Sequence, residues 1–196
     1  MRRSLLLVGL ILIARFAQAA PPASSSDWKA KVAASIPLLG HRNWILVVDS
    51  AYPLQSSPGI ETVETNSSQL EVVQYVLSAV DRSIHVRPLI YMDAELPFVP
   101  ETDAPGVNAY RAKIKEALHG LPVQEMPHEK VIATIDDASR QFHVLVLKTT
   151  MTIPYTSVFI RLDCKYWSAD AEDRMRARMN ASQPNSQPQS LPKPNQ

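Results

Sequence analysis

Apolar residues Leu70, Val73, Leu77 and Val80 recur at helical spacing behind Ser68-Gln69-Leu70-Glu71, a capping-box opening. They predict a helix over Ser68–Asp81. Trp44–Val48 is an unbroken apolar run stopped by Asp49 and Ser50, the pattern of a strand buried on both faces. Glu61–Thr65 alternates as a shorter strand, and Ile84–Met92 is strand-like, with Pro88 pointing to an edge or a bulge. Asp93–Pro105 reads as a proline-interrupted loop, and Gly106–Leu118 as a helix closed by Gly120. Val123–Met126 is a short strand. Pro127 then opens a helix with His128 and Glu129 in its first turn and Val131, Ile132 and Ile135 as its buried stripe. Phe142–Leu147 and Ser157–Leu162 read as the last two strands. Strands alternating with helices predict a single three-layer α/β domain with a mostly parallel sheet, whose ligands sit beyond the carboxyl ends of the strands.

The ends of the chain follow other rules. Met1-Arg2-Arg3, the apolar Leu5–Ile13 and Ala17-Gln18-Ala19 have the three parts of a secretory signal, so cleavage after Ala19 and export to the periplasm or medium are expected. The apolar run is only about nine residues, against the roughly 20 that cross a bilayer, and no permanent membrane span is expected. Residues 20–34 read as a linker and the start of a first helix, and residues 35–167 as the domain. Ala169–Met179 is a charged helix with Asp170, Glu172 and Asp173 early and Arg174, Arg176 and Arg178 late, the order its dipole favours. From Asn180 to Gln196 the chain is Pro, Gln, Ser and Asn, the composition of a disordered tail.

Composition narrows the chemistry. With 45% hydrophobic residues and a formal charge of +1, the chain is globular and carries no excess of phosphate-neutralising side chains, which disfavours nucleic acid and points to a small or neutral partner. Cys164 is alone, so neither an intramolecular disulfide nor a Cys-based metal site is available. Among five glycines there is no Gly-x-Gly-x-x-Gly or Gly-x-x-x-x-Gly-Lys stretch; Gly-x-Ser-x-Gly and His-x-x-x-His are missing too. No cofactor and no metal are expected.

What remains are single polar residues at strand ends. His41 enters just before the Trp44–Val48 strand and Asp49 leaves it, and eight residues of extended chain span roughly 26 Å. The two meet in one subunit only if the chain before Trp44 folds back; otherwise a neighbouring subunit must complete the pocket. Trp44 and Tyr52 are candidate platforms for a ring-shaped ligand, although a tryptophan opening a buried strand is more often core. His85 reads as an outward or internally satisfied histidine, His119 as a helix-end residue and His143 as structural.

Leu39-Gly40-His41, a strand, and then Asp49-Ser50-Ala51-Tyr52-Pro53 resemble the opening motif of the D-ribose pyranase and L-fucose mutarotase family (RbsD/FucU). Pro127-His128-Glu129-Lys130 is similar to that family's second histidine segment, and Pro154-Tyr155-Thr156-Ser157 to its Pro-Tyr-Ala-Asn signature. The order holds from about Ser35 to Leu162. The resemblance implies an RbsD-like fold and cofactor-free interconversion of the ring forms of a free monosaccharide. It makes His41 the principal acid/base group, Asp49 a holder of sugar hydroxyls or of an imidazole, His128 a second proton-transfer group and Tyr155 a lining hydroxyl. Ser157 is expected at the substrate with Trp44 and Tyr52, and sites are expected at contacts within a ring-shaped homo-oligomer. The chain departs from the family at Ser157, where the signature has Asn, and at Thr150-Met151, where it usually has Gly-Glu. Two other readings remain open: a non-catalytic sugar-binding module on the same scaffold, and an interaction protein that uses the charged helix and tail.

Overall fold

A computed structural model describes residues 27–182. The expected signal segment, its cleavage point and the part of the expected tail beyond Ser182 lie outside the described residues. The chain order is α1 (Asp27–Ser35), β1 (Trp44–Val48), β2 (Ile60–Glu64), α2 (Gln69–Arg82), β3 (Val86–Asp93), α3 (Val107–Ala117), β4 (Val123–Met126), α4 (His128–Ser139), β5 (Val144–Lys148), β6 (Val158–Cys164) and α5 (Ala169–Ser182). The strands form one sheet in the order β2-β5-β1-β6-β3-β4. β1 and β2 flank β5 in parallel and β4 runs parallel to β3, while β6 pairs antiparallel with both β1 and β3. The architecture is α/β with a mostly parallel sheet. Because β6 alone is reversed, its first residues join the carboxyl ends of the other five strands, and Tyr155-Thr156-Ser157 lands where ligands of such sheets bind.

Alternation decides which face each strand residue covers. Ile45, Val47, Leu145, Leu147, Ile160 and Leu162 pack with α1, α2 and α3 on one face. Trp44, Leu46, Val48, Tyr91, Val146 and Phe159 pack on the other under Val131 and Ile135 of α4. The layers are therefore unequal. Trp28 and Val32 of α1 are buried, so the packing reaches back at least to Trp28, ahead of the Ser35 boundary read from sequence.

The capping box is half made: the Ser68 hydroxyl accepts from the Glu71 amide, but the Glu71 carboxylate turns to Lys29. Pro88 lies in an interior strand, yet β4 pairs only with Ile90–Asp93, so one side of the chain at Pro88 has no neighbouring strand. The expected loop beginning at Asp93 starts later. Asp93 is the last residue of β3, and a 3₁₀ turn at Leu96–Phe98 interrupts the connection to α3. The Glu101 carboxylate then accepts from the amides of Gly106 and Asn108 and caps α3, where Gly106 itself takes the left-handed φ of 93° that a glycine adopts without strain. These two amide bonds hold the Glu101 carboxyl below its ordinary value.

The expected tail at Asn180 is also corrected: α5 runs to Ser182. No residue of α5 is buried. Among the described residues no helix is long and apolar enough to cross a membrane.

Candidate functional site

Chain ends of the parallel strands bring Asp49, Tyr52, His128 and Tyr155 to one open cleft of about 600 Å³ at the carboxyl edge of the sheet. Asp49 follows β1. Its Oδ1 accepts from the Ala51 amide at 2.9 Å, closing an Asx turn that stops the strand and turns Tyr52 inward. Its Oδ2 accepts from the Ser157 hydroxyl at 3.4 Å. Ser157 is 1% exposed, so it steadies Asp49 from behind and presents nothing to the cleft. Tyr52 is buried and donates to Gln55 Oε1. Burial, together with the Asp136, Asp93 and Asp49 carboxylates, pushes its hydroxyl far above the ordinary tyrosine value, so it stays a neutral donor.

His128 opens α4, and its position is overdetermined. Pro127 offers no side-chain cap, and Glu95, arriving from the end of β3, accepts the His128 amide with both oxygens at 3.0 and 3.1 Å. Two residues earlier, Asp93 Oδ1 lies 3.1 Å from His128 Nδ1. Facing a carboxylate, Nδ1 carries the proton and donates, which leaves Nε2 as the free nitrogen. Asp93 is 1% exposed and its second oxygen, Oδ2, is buried with no hydrogen-bond partner. Burial raises its carboxyl above the ordinary value, Glu95 and Asp49 push the same way, and His128 opposes them. The Tyr155 ring meets the His128 ring edge to face at 5.5 Å.

Tyr155 holds a left-handed φ of 58°, a conformation uncommon for a residue with a Cβ. The next carbonyl shows what maintains it. Thr156 O accepts from Tyr110 at 2.7 Å and from Gln69 Nε2 at 2.7 Å, and Gln69 also reaches Val47 O while accepting from Thr149. This buried lattice ties α2, α3, β1 and β5 to the turn that displays Tyr155.

Two residues expected at the site lie elsewhere. Trp44 opens β1 at the far edge of the sheet, is 5% exposed, and stacks on Tyr91 at 5.5 Å; it is a core residue with no ring face to offer a sugar. His41 also lies at the amino edge. The chain before Trp44 does not fold back: the Arg42 amide donates to Leu162 O, and His41 Nδ1 lies 3.0 Å from Asp163 Oδ1 at the end of β6. Within one copy, therefore, His41 does not share the cleft with Asp49. His85 is satisfied internally, by Ser83 and by Leu39 O.

Asp93 and Glu95 were not singled out from the sequence. The available signal was the pair of acids straight after an apolar strand, at the end where α/β sheets bind ligands.

No family model and no curated protein matches the sequence. Similar solved structures include Bacillus subtilis RbsD complexed with D-ribose, at 14% identity, covering 74% of this chain and 95% of that one, with a TM-score of 0.48. The fucose mutarotase from Streptococcus pneumoniae in complex with L-fucose is similar at 18% identity, covering 65% and 87%, TM-score 0.44. FucU from Bifidobacterium longum matches at 14%, covering 67% and 92%, TM-score 0.44. Identities this low and TM-scores below 0.5 leave the cleft to be read from its own residues.

Proposed function

We propose that the protein is exported and interconverts the ring forms or anomers of a free monosaccharide by acid/base ring opening. The observation that carries this reading is an imidazole oriented by a buried carboxylate, His128 on Asp93, beside Asp49 and Tyr155 in an open cleft. The ordered motifs around His41, His128 and Tyr155 support it.

Ring opening needs a base to take the proton of the anomeric hydroxyl and an acid to protonate the ring oxygen as its bond to C1 breaks; closure reverses the roles. Imidazole suits both near neutral pH. His128 Nε2 is one such group, Asp49 holds hydroxyls of the sugar, and Tyr155 lines the rim. A second proton-transfer group on the opposite side of the ring is His41 of a neighbouring copy, since one copy's own His41 sits at the far edge of its sheet. The site is thus completed by assembly, head to tail in a ring.

Magnetisation-exchange NMR on free aldoses, ribose and fucose included, tests the reaction: faster anomer exchange is expected, and a protein that accelerates none overturns it. Mixing inactive His41→Ala with inactive Asp49→Asn tests the assembly, because random exchange of copies restores roughly a quarter of the sites if each draws on two chains, and none if it does not. A sugar-binding module is the second reading, favoured by Ser157 facing Asp49 instead of the cleft. It predicts saturable binding with exchange unchanged.

A further inference from the structure

His41 is held as deliberately as His128, at the other edge of the sheet. The turn Gly40–Asn43 is closed by the Asn43 amide on Gly40 O and by the Gly40 amide on Asn43 Oδ1. Arg42, at a left-handed φ of 75°, pins the turn to β6 through Leu162 O. His41 is thereby laid beside Asp163, its Nδ1 at 3.0 Å from Oδ1. Asp163 stands directly across from Arg87 in the β3–β6 register, and Arg87 grips Oδ2 through Nε at 2.9 Å and a terminal nitrogen at 2.6 Å. Each carboxylate oxygen has its own cation-forming partner.

We propose that Asp163, locked by Arg87, is the positioning residue of His41: it fixes the proton on Nδ1 and turns Nε2 outward as the nitrogen that reaches a sugar. This rests on the reading of His41 as an acid/base group. Facing a carboxylate, Nδ1 donates, and the carboxylate stabilises the imidazolium formed when Nε2 takes a proton. Arg87 keeps Asp163 from accepting that proton itself. Partial burial alone would raise the Asp163 carboxyl, but hydrogen bonds from Arg87 and the Cys164 amide, the Arg87 charge and the His41 contact hold it below its ordinary value. Three other titratable or charged groups on adjoining segments are engaged elsewhere. Lys165 donates to the carbonyls of Asp81 and Ser83, the Arg42 guanidinium lies over the Phe142 ring, and His85 is bonded to Ser83 and Leu39.

The test pairs imidazole ¹⁵N NMR with sugar exchange on the full-length protein. In the wild type, His41 should be the Nδ1–H tautomer. Asp163→Asn should lose that preference, moving His41 toward the Nε2–H tautomer, and slow exchange about tenfold with sugar affinity unchanged. Arg87→Gln, which leaves the Asp163 carboxylate in place, should keep the Nδ1–H tautomer; a tautomer lost in one variant and kept in the other is not the signature of general loosening. Exchange equal to wild type in Asp163→Asn, while His41→Ala abolishes it, overturns the proposal. If the wild type accelerates no exchange, the reading of the cleft fails separately. The NMR still decides the positioning: an unchanged Nδ1–H tautomer in Asp163→Asn overturns it, and its loss there with retention in Arg87→Gln upholds it.

Discussion

The two edges of the sheet carry the same pair of residues in opposite electrostatic states. At the carboxyl edge His128 meets Asp93 at 3.1 Å, and at the amino edge His41 meets Asp163 at 3.0 Å. The difference lies at the second carboxylate oxygen. In Asp163 it is gripped by Arg87 and the carboxyl lies below its ordinary value; in Asp93 it is buried without a partner and the carboxyl lies above it. A histidine–carboxylate contact by itself thus says little about which group is the better base. The charge and burial behind the carboxylate decide it.

The largest expected effect comes from removing the imidazoles. His128→Ala and His41→Ala should each slow sugar exchange about 10²- to 10⁴-fold, measured by magnetisation-exchange NMR. Loss on only one edge would break the symmetry between the pairs. Trp44→Ala should cost about 3–5 kcal/mol of stability in denaturant unfolding, because it empties part of the layer under α4. Trp44→Phe should leave sugar affinity unaltered, and a loss of affinity with the fold intact would return Trp44 to the site.

Asp93→Asn should raise stability at neutral pH by about 1 kcal/mol while slowing exchange. The sign follows from the raised carboxyl: the unfolded chain releases this proton at lower pH than the folded one, so Asp93 destabilises the fold increasingly above its ordinary value, near 4. Wild type and variant should therefore converge in melting temperature as the pH falls through that value.

The smallest effect is the mirror of that one. Asp163 is lowered, so its contribution is present above the ordinary carboxylate value and lost as the pH falls through and below it. Asp163→Asn should be less stable than wild type at pH 7 by under about 1 kcal/mol, because the partners His41 and Arg87 are nearly half exposed to screening water, and should match it in acid. Melting curves of the two variants that bend the same way with pH would contradict the contrast between the edges.

Much of the local structure was legible before the fold. β1 matches its predicted run residue for residue and α2 lies one residue on from its predicted span, because an apolar run and a helical stripe each report burial directly; β4 also matches its expected span, although it is a mostly exposed edge strand. The places of Asp49 just after a strand and His128 in a helix's first turn were legible from the strand stop and from Pro127. Asp93 was hidden in a proline-interrupted stretch that reads as loop. Its importance comes from meeting α4, an element 35 residues further on. Ser157 had the right place and the wrong direction, since sequence carries no record of which oxygen a hydroxyl will choose.

The sequence by itself determined which segments form strands and helices and which polar residues stand near their ends, to within a residue or three at each boundary, since burial periodicity and backbone chemistry are local properties. Only the tertiary structure decided that β6 runs against its neighbours, that Asp93 and Glu95 seize the start of α4, and that His41 and Asp49 face away from each other. Those outcomes depend on which strands pair and in which direction, and that is set by contacts between residues far apart in the chain.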